Sequence, residues 1–276
     1  MPTLCEYTTV KKLHDYKDFQ SSASDVLMLD MIRQASGEIE EICNRRFFPR
    51  IATHYFDTPR QGMDLNFDDD LLEVTTLTNG DGQVIPSSDY KLYDLNFTPK
   101  RKLTLLPIRY MWQMDQYGTP YGAIQLSGMW GYHEDYANAW IDTGATLSAA
   151  ITTAGQATVT VTTGRLFAGD LLKIDSEYIY ASSVALGASD TLTMTRGVNG
   201  STAATHLISA PIYRWDPGTK IAQLCVRAAC AYTKLRANPI SETVNVDGIT
   251  YVTPKDVLKW MDSALRGLGL IRPGIG

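Results

Sequence analysis

Two carboxylates, Asp175 and Glu177, stand at i and i+2 of an alternating run, Leu171–Ala181 (LLKIDSEYIYA). On a strand this spacing puts both on one face, and paired carboxylates are what glycoside hydrolysis needs. No flanking acid or aromatic sugar platform accompanies them, and exposed strand carboxylates are common. Asp68-Asp69-Asp70 could hold a hard cation. Calcium loops, however, alternate carboxylates with spacers and end on Glu, so this run reads as a solvated acidic loop. His14, His54, His133 and His206 lack HxxxH or HExxH spacing, which leaves a zinc site without support. GxSxG, Walker and GxGxxG patterns are absent from the sequence. The expectation is a protein that is not an enzyme, with no catalytic residues, no cofactor and no metal.

Arg45-Arg46 and Lys100-Arg101-Lys102 are the densest basic spots. They could touch phosphates or an acidic partner. A helix C-terminus favouring cations and a solvated strand edge also account for them. Phe47, Phe48, Tyr55 and Phe56 flank an alternating strand and read as core rather than as a base-stacking platform. The net charge of −5 and pI near 5.4 argue against an electrostatic clamp on nucleic acid. They suit solubility, or a channel wall that DNA slides past. Cys5, Cys43, Cys225 and Cys230 form no CxxC pair and read as reduced, buried thiols. Asn199-Gly200-Ser201 fits a glycosylation sequon, but nothing else suggests secretion. The first residues, MPTLCEYTTVKKLHDYK, hold no apolar signal core, and no run of about 18 apolar residues follows. The chain is expected to be soluble and intracellular when made, without a membrane partner.

The elements that must position these residues follow from periodicity. Thr8 or Thr9 caps a short helix to about Lys17. The segment Ser22–Ser24 caps a second, whose Leu29, Ile32, Ala35, Ile39 and Ile42 form one apolar stripe. Asn44–Arg46 end it, and Pro49 forbids its continuation. Strands are expected at Ala52–Asp57, Leu72–Thr78, Tyr90–Asp94, Leu103–Pro107 and Ala123–Trp130, with Asp68–Asp70 as the loop separating the first pair. From Gly144 to Tyr213 only seven of 70 residues are charged, half the chain-wide density, and Thr, Ala, Ser and Gly dominate. Alternation in Ala157–Thr163, Leu171–Ala181 and Thr191–Thr195 argues for a small all-β module there. Asp216-Pro217 then starts a helix carrying Ile221, Leu224, Cys225, Ala228, Tyr232 and Leu235, closed by Asn238-Pro239. A hairpin centres on Asp247-Gly248, and Thr253-Pro254-Lys255-Asp256 opens a last helix. The tail from Leu270 reads as extended.

The expected fold class is therefore α+β. A helical core domain with a short antiparallel sheet spans 1–143 and 214–276. An inserted barrel- or sandwich-like module spans 144–213.

Several ordered segments resemble the head–tail connector, or adaptor, family of tailed bacteriophages. They are the helix ending in Cys43–Phe48 (CNRRFF), the strand Thr53–Asp57 (THYFD), Asp70–Gly82 (DLLEVTTLTNGDG) and Asp89–Tyr93 (DYKLY). The helix at Lys220–Arg236, the hairpin Val246–Tyr251 and the Pro254-led helix are similar to the family's C-terminal half. The resemblance covers about 1–132 and 215–276. The insert departs from compact members and looks like a small β domain of phage virion proteins. The resemblance implies a structural virion protein of the neck. It would form a homo-oligomeric ring, typically of twelve copies, below the portal protein. That ring would extend the DNA channel, touch passing DNA non-specifically and dock tail-completion, stopper or tail proteins. Its place would be the virion neck, after assembly in the host cytoplasm. Candidate partner contacts are the tail residues Leu270, Ile271, Arg272 and Pro273, with Arg45 and Arg46. The alternative is a virion surface or carbohydrate-binding protein whose inserted module is the binder.

Overall fold

Threonine and serine caps start the first two helices of the computed structural model, which describes residues 5–16, 24–107, 109–164, 166–237, 244–246, 248–251 and 253–272. The Thr9 hydroxyl accepts the Lys12 N–H at 3.2 Å and opens α1 (Val10–His14). Ser24 does the same for α2 (Asp25–Cys43), accepting from Leu27 at 3.4 Å. α2 ends where Asn44 turns left-handed, at φ 49°, and its N–H returns to the Glu40 and Glu41 carbonyls. Met28, Met31, Ile32, Ala35, Ile39 and Cys43 are buried, while Leu29 and Ile42 sit half-buried at the flanks. The stripe is thus rotated slightly from the expected one, because α1, α3 (Thr219–Ala237) and α4 (Pro254–Gly267) all pack against α2.

α3 starts two residues later than Asp216-Pro217 suggests. Gly218 takes φ 91°, and the Asp216 carboxylate accepts the Gly218 N–H at 3.1 Å instead of capping a helix. Ile221, Leu224, Cys225, Ala228 and Tyr232 are buried, as their spacing requires. At α4, Asp256 accepts both the N–H and the hydroxyl of Thr253, at 2.9 and 3.0 Å. The expected helix end at Lys17, the Ser22 cap, Asn238-Pro239 and Asp247 lie outside the described residues.

The chain divides into two compact units, one from residues 1–44 and 137–274, the other Arg45–Tyr136. The second is a five-stranded antiparallel sheet of β1 (Arg50–Phe56), β2 (Asp64–Thr78), β3 (Tyr90–Tyr93), β4 (Lys100–Leu105) and β5 (Ile124–Trp130), ordered β1-β5-β2-β4-β3. Its core gathers Phe56, Phe67, Leu71, Leu103, Ile124, Leu126 and Trp130. Alternation along β5 buries every second side chain, as a half-covered sheet demands.

The first unit holds all four helices described and a further sheet of six strands. These are β6 (Trp140–Thr146), β7 (Thr158–Val161), β8 (Leu171–Ile174), β9 (Glu177–Ala185), β10 (Asp190–Arg196) and β11 (Pro211–Trp215). Their order is β6-β11-β8-β9-β10-β7. A bridge from Leu147 to Val161 and a Thr162 N–H bond to Thr146 at 2.9 Å join the outer strands, so the sheet curls into a small barrel. Its interior is aliphatic, with Leu147, Ile151, Val161, Leu172, Ile179, Leu192 and Ile212 among the buried residues. A short hairpin, β12 (Val244–Val246) and β13 (Ile249–Tyr251), precedes α4.

A helical core domain with a short sheet is not what forms. Among the described residues, strand accounts for 33% against 25% helix, in antiparallel sheets of five and six strands. Two 19-residue helices repeat their period several times and dominate the sequence pattern, whereas most strands are too short to do so. Asp68–Asp70 form no loop; they lie inside β2, where the pairing to β4 shifts between Asn66 and Leu71. That irregularity breaks the alternation by which a strand is recognised. Leu171–Ala181 is not one strand either, but the β8–β9 hairpin turning at Asp175-Ser176, with Asp175 at φ 52°.

Candidate functional site

The hairpin places Asp175 and Glu177 in different environments. Asp175 is exposed on the turn, while Glu177 is fully buried at the start of β9. Arg196 clasps Glu177 from β10, Nε to Oε1 at 2.6 Å and Nη2 to Oε2 at 2.5 Å. The N–H groups of Gly197 and Ala204 add bonds at 3.0 Å each. His206 bridges the two carboxylates, Nδ1 to Asp175 at 2.7 Å and Nε2 to Glu177 at 2.8 Å. Arg196 also reaches the carbonyls of Thr153 and Ala204. Burial works to raise the Glu177 carboxyl, but the bonds from Arg196, Ala204, His206 and Gly197 outweigh it and hold the group below the ordinary carboxylate range. Both Glu177 oxygens are occupied by the protein itself. The constellation locks the 197–206 segment to the barrel.

A second polar network joins the N-terminal segment and α2 to the barrel. Glu6 accepts from Arg33 Nε at 2.8 Å and from the Tyr180 hydroxyl at 2.7 Å, and Arg33 Nη2 donates to that same hydroxyl at 2.9 Å. Burial pushes Glu6 up despite these partners, and pushes Tyr180 up as well. Asp170, before β8, is buried too. It accepts the Phe167 N–H at 2.8 Å, with Arg214 Nη1 at 3.9 Å. Burial raises Asp170 to about 7 against the opposing pull of Arg214. Burial acts on the nearby thiols in the same direction, raising Cys5 well above its usual value and Cys225 to about 12. Of the four free cysteines, Cys43, Cys225 and Cys230 are buried, whereas Cys5 is half-buried rather than buried as its setting in the sequence suggests.

Of the basic residues singled out in the sequence, Arg45 offers no surface. Its side chain is 2% exposed and meets Asp70, 1% exposed, at 3.2 Å. The guanidinium also lies 4.5 Å from the centre of the Tyr132 ring. The acidic run hidden in β2 is what draws Arg45 inward. Arg46 stays partly exposed and lies 3.8 Å from Asp69, which Arg50 approaches to 3.6 Å. His54 stacks on Trp130 with centroids 3.9 Å apart. The tail is not free at its start: Leu270 is buried, and the Arg272 N–H donates to the Cys43 carbonyl at 2.9 Å. Ile271 and Arg272 are half-buried, and Pro273 lies outside the described residues.

The structure adds a surface that the sequence reading passed over. The loop from 109 to 122, between β4 and β5, is tied down along its length. Asn79 holds the Met111 carbonyl and the Gln113 N–H, at 2.9 and 3.0 Å. Thr58 bonds to the carbonyls of Gln113 and Pro120, at 2.9 and 2.7 Å. Asp115 folds the tip by accepting from Tyr117 and Thr119, and Asp57 accepts the Gly122 N–H. Yet Met111, Met114, Tyr117 and Tyr121, with Tyr55 on β1, leave 52–80% of their surface to solvent. The available signal was compositional: two Met and three Tyr with only Arg109 and Asp115 charged between 109 and 122.

Among the described residues, no group of three His, Cys, Asp or Glu side chains is placed to hold a metal ion, and no helix is long and apolar enough to cross a membrane. No protein-family model matches the chain, and no curated protein matches it.

Proposed function

We propose that this chain is a structural subunit of a tailed-phage neck, a head–tail adaptor forming a ring below the portal protein. In this reading the ring extends the DNA channel and docks tail-completion proteins. The observation that carries it is the ordered resemblance from Cys43 to Tyr93, of which the part from Arg45 onward falls within one compact unit. Arg45 of the helix exit pairs with Asp70 of the Asp70–Gly82 segment, and Phe47 and Phe48 behind it are fully buried. The enclosed state of Glu177 supports a non-enzymatic role, since the carboxylate best spaced for hydrolysis is consumed by Arg196 and His206. Residues 144–213 are proposed as an inserted module. Support comes from the neighbouring points where the chain enters and leaves the barrel: Trp140 pairs with Trp215, and the Asp216 N–H bonds to Ala139 at 2.8 Å.

Native mass spectrometry of the purified chain, alone and with its portal protein, tests the reading. A closed ring, with twelve copies expected, supports it. A chain that stays monomeric and leaves the portal unbound overturns it.

The surface-binding reading has one observation on its side: Leu186, Leu207 and Ile208 are exposed on the barrel's turns. Particles carrying Leu207→Ser and Ile208→Ser would join heads to tails normally but lose adsorption if the barrel is the binder. Unchanged adsorption removes that reading.

A further inference from the structure

The five-stranded unit carries large exposed apolar side chains on both sides of one sheet, and they differ. On the β1 side stands the platform of Tyr55, Met111, Met114, Tyr117 and Tyr121. Its backbone is fixed by Asp57, Thr58 and Asn79, so the loop that carries most of these side chains is held in place. At their exposures these five present on the order of 500 Å² of largely apolar area. That is at the upper end of what a monomer's surface carries in one patch, and a large part of the ~800 Å² per partner that a stable interface buries. Tyr and Met are also residue types that interfaces favour, and the patch is poor in charge, as interface centres are.

On the β3 side, the opposite edge of the sheet, the β3–β4 loop exposes Leu95 and Phe97 to 61% and 72%. This loop is pinned as well: Lys100 Nζ donates to the carbonyls of Asp94 and Leu95, at 2.6 and 3.2 Å. Two unlike apolar features on opposite edges are the requirement for head-to-tail association. A patch that served an isologous dimer would need only itself.

We infer that the platform receives the Leu95–Phe97 loop of a second copy of this chain, each subunit giving its loop to one neighbour and its platform to the other. The inference rests on the ring reading above and names the surface that builds the ring. Phe97 supplies the buried anchor, and the Tyr/Met platform supplies its pocket walls.

The test is directed cross-linking in the full chain, with Cys5→Ser removing the one native thiol that is not fully buried. Asn96→Cys and Gln116→Cys together, which leave Phe97 and the platform side chains in place, oxidised mildly with and without the portal protein, are expected to give a ladder of dimers, trimers and higher species on a non-reducing gel. Each single substitution is expected to give no ladder. In parallel, Met114→Ser with Tyr117→Ser is expected to keep the wild-type circular dichroism and to weaken self-association at least about tenfold. Oligomers that form normally in the serine variant and yield no ladder overturn the inference while leaving the ring reading standing. Efficient dimers from Gln116→Cys alone make the contact isologous and overturn it too. A wild-type chain that is monomeric under every condition overturns both.

Discussion

Asp70 and Arg45 show how much one buried pair can hide from a linear reading. Three consecutive aspartates look like solvent-facing chain, and an Arg-Arg at a helix end looks like a handle for a partner. Folded, the third aspartate and the first arginine meet at 3.2 Å with almost no exposure. Neither tolerates solitude, because removing one partner leaves an uncompensated charge in a low-dielectric setting. Asp70→Ala is expected to cost about 3–5 kcal/mol of stability. Replacing Arg45 at the same time, as Asp70→Leu with Arg45→Met, is expected to recover most of that loss. Urea denaturation of the three variants checks both statements. His206 is a second case at this scale. Its neighbours in sequence are Thr205 and Leu207, and nothing local announces that it bridges Asp175 and Glu177 across about 30 residues of chain. Long-range pairing of this kind leaves no periodic trace.

Elements with a long, clean period were legible: α2, α3 and α4 sit where caps and apolar spacing put them, within two residues at most starts. Strand positions in the five-stranded unit were legible from short alternating runs bounded by turn residues, except where β2 shifts register and where β4 starts three residues early. The 109–122 loop was not, because it is built from hydrogen bonds to side chains and backbone of other segments rather than from any repeat. Gly80 is its keystone at the β2 end. A Cβ there would lie 2.1 Å from the Gln113 carbonyl oxygen and 2.6 Å from that of Met114, and backbone cannot yield as a side-chain tip can. Gly80→Ala is therefore expected to displace Met111–Met114. The measurable result is a loss of roughly 1–3 kcal/mol in thermal unfolding, together with weakened self-association if the platform is the contact. Hydrogen exchange would place the perturbation at the Gln113 N–H, which Asn79 otherwise holds.

At the scale of the whole molecule, acid groups of opposite tendency set the pH at which the chain is firmest. Asp170 ionises at about 4 in an unfolded chain and at about 7 in the folded one. Between those values the folded state holds more protons, so stability falls as pH rises and the loss is complete above about 7. Glu6, also raised by burial, acts in the same direction. Glu177 is held below its ordinary range, so its contribution is present above about 4.5 and is lost as pH falls through its folded value. Maximal stability is thus expected near pH 5 rather than at neutrality. Asp170→Asn should flatten the decline and exceed wild type at pH 8 by on the order of 2–4 kcal/mol, while matching it near pH 5. Thermal melts from pH 4 to 9 decide the matter, and an unchanged slope in the variant would assign the dependence elsewhere.

The strands that open and close the barrel stand side by side, Trp140 opposite Trp215, with the Ala139–Asp216 bond just outside them. Tension along the backbone therefore crosses that one rung and bypasses the barrel interior. If the rung yields, β6 and β11 part like a zipper, one bond at a time, instead of shearing all together. The barrel is then a reserve of slack, since the chain from Trp140 to Trp215 spans roughly 250 Å when drawn out. A subunit strained end to end would have that length in reserve at the barrel.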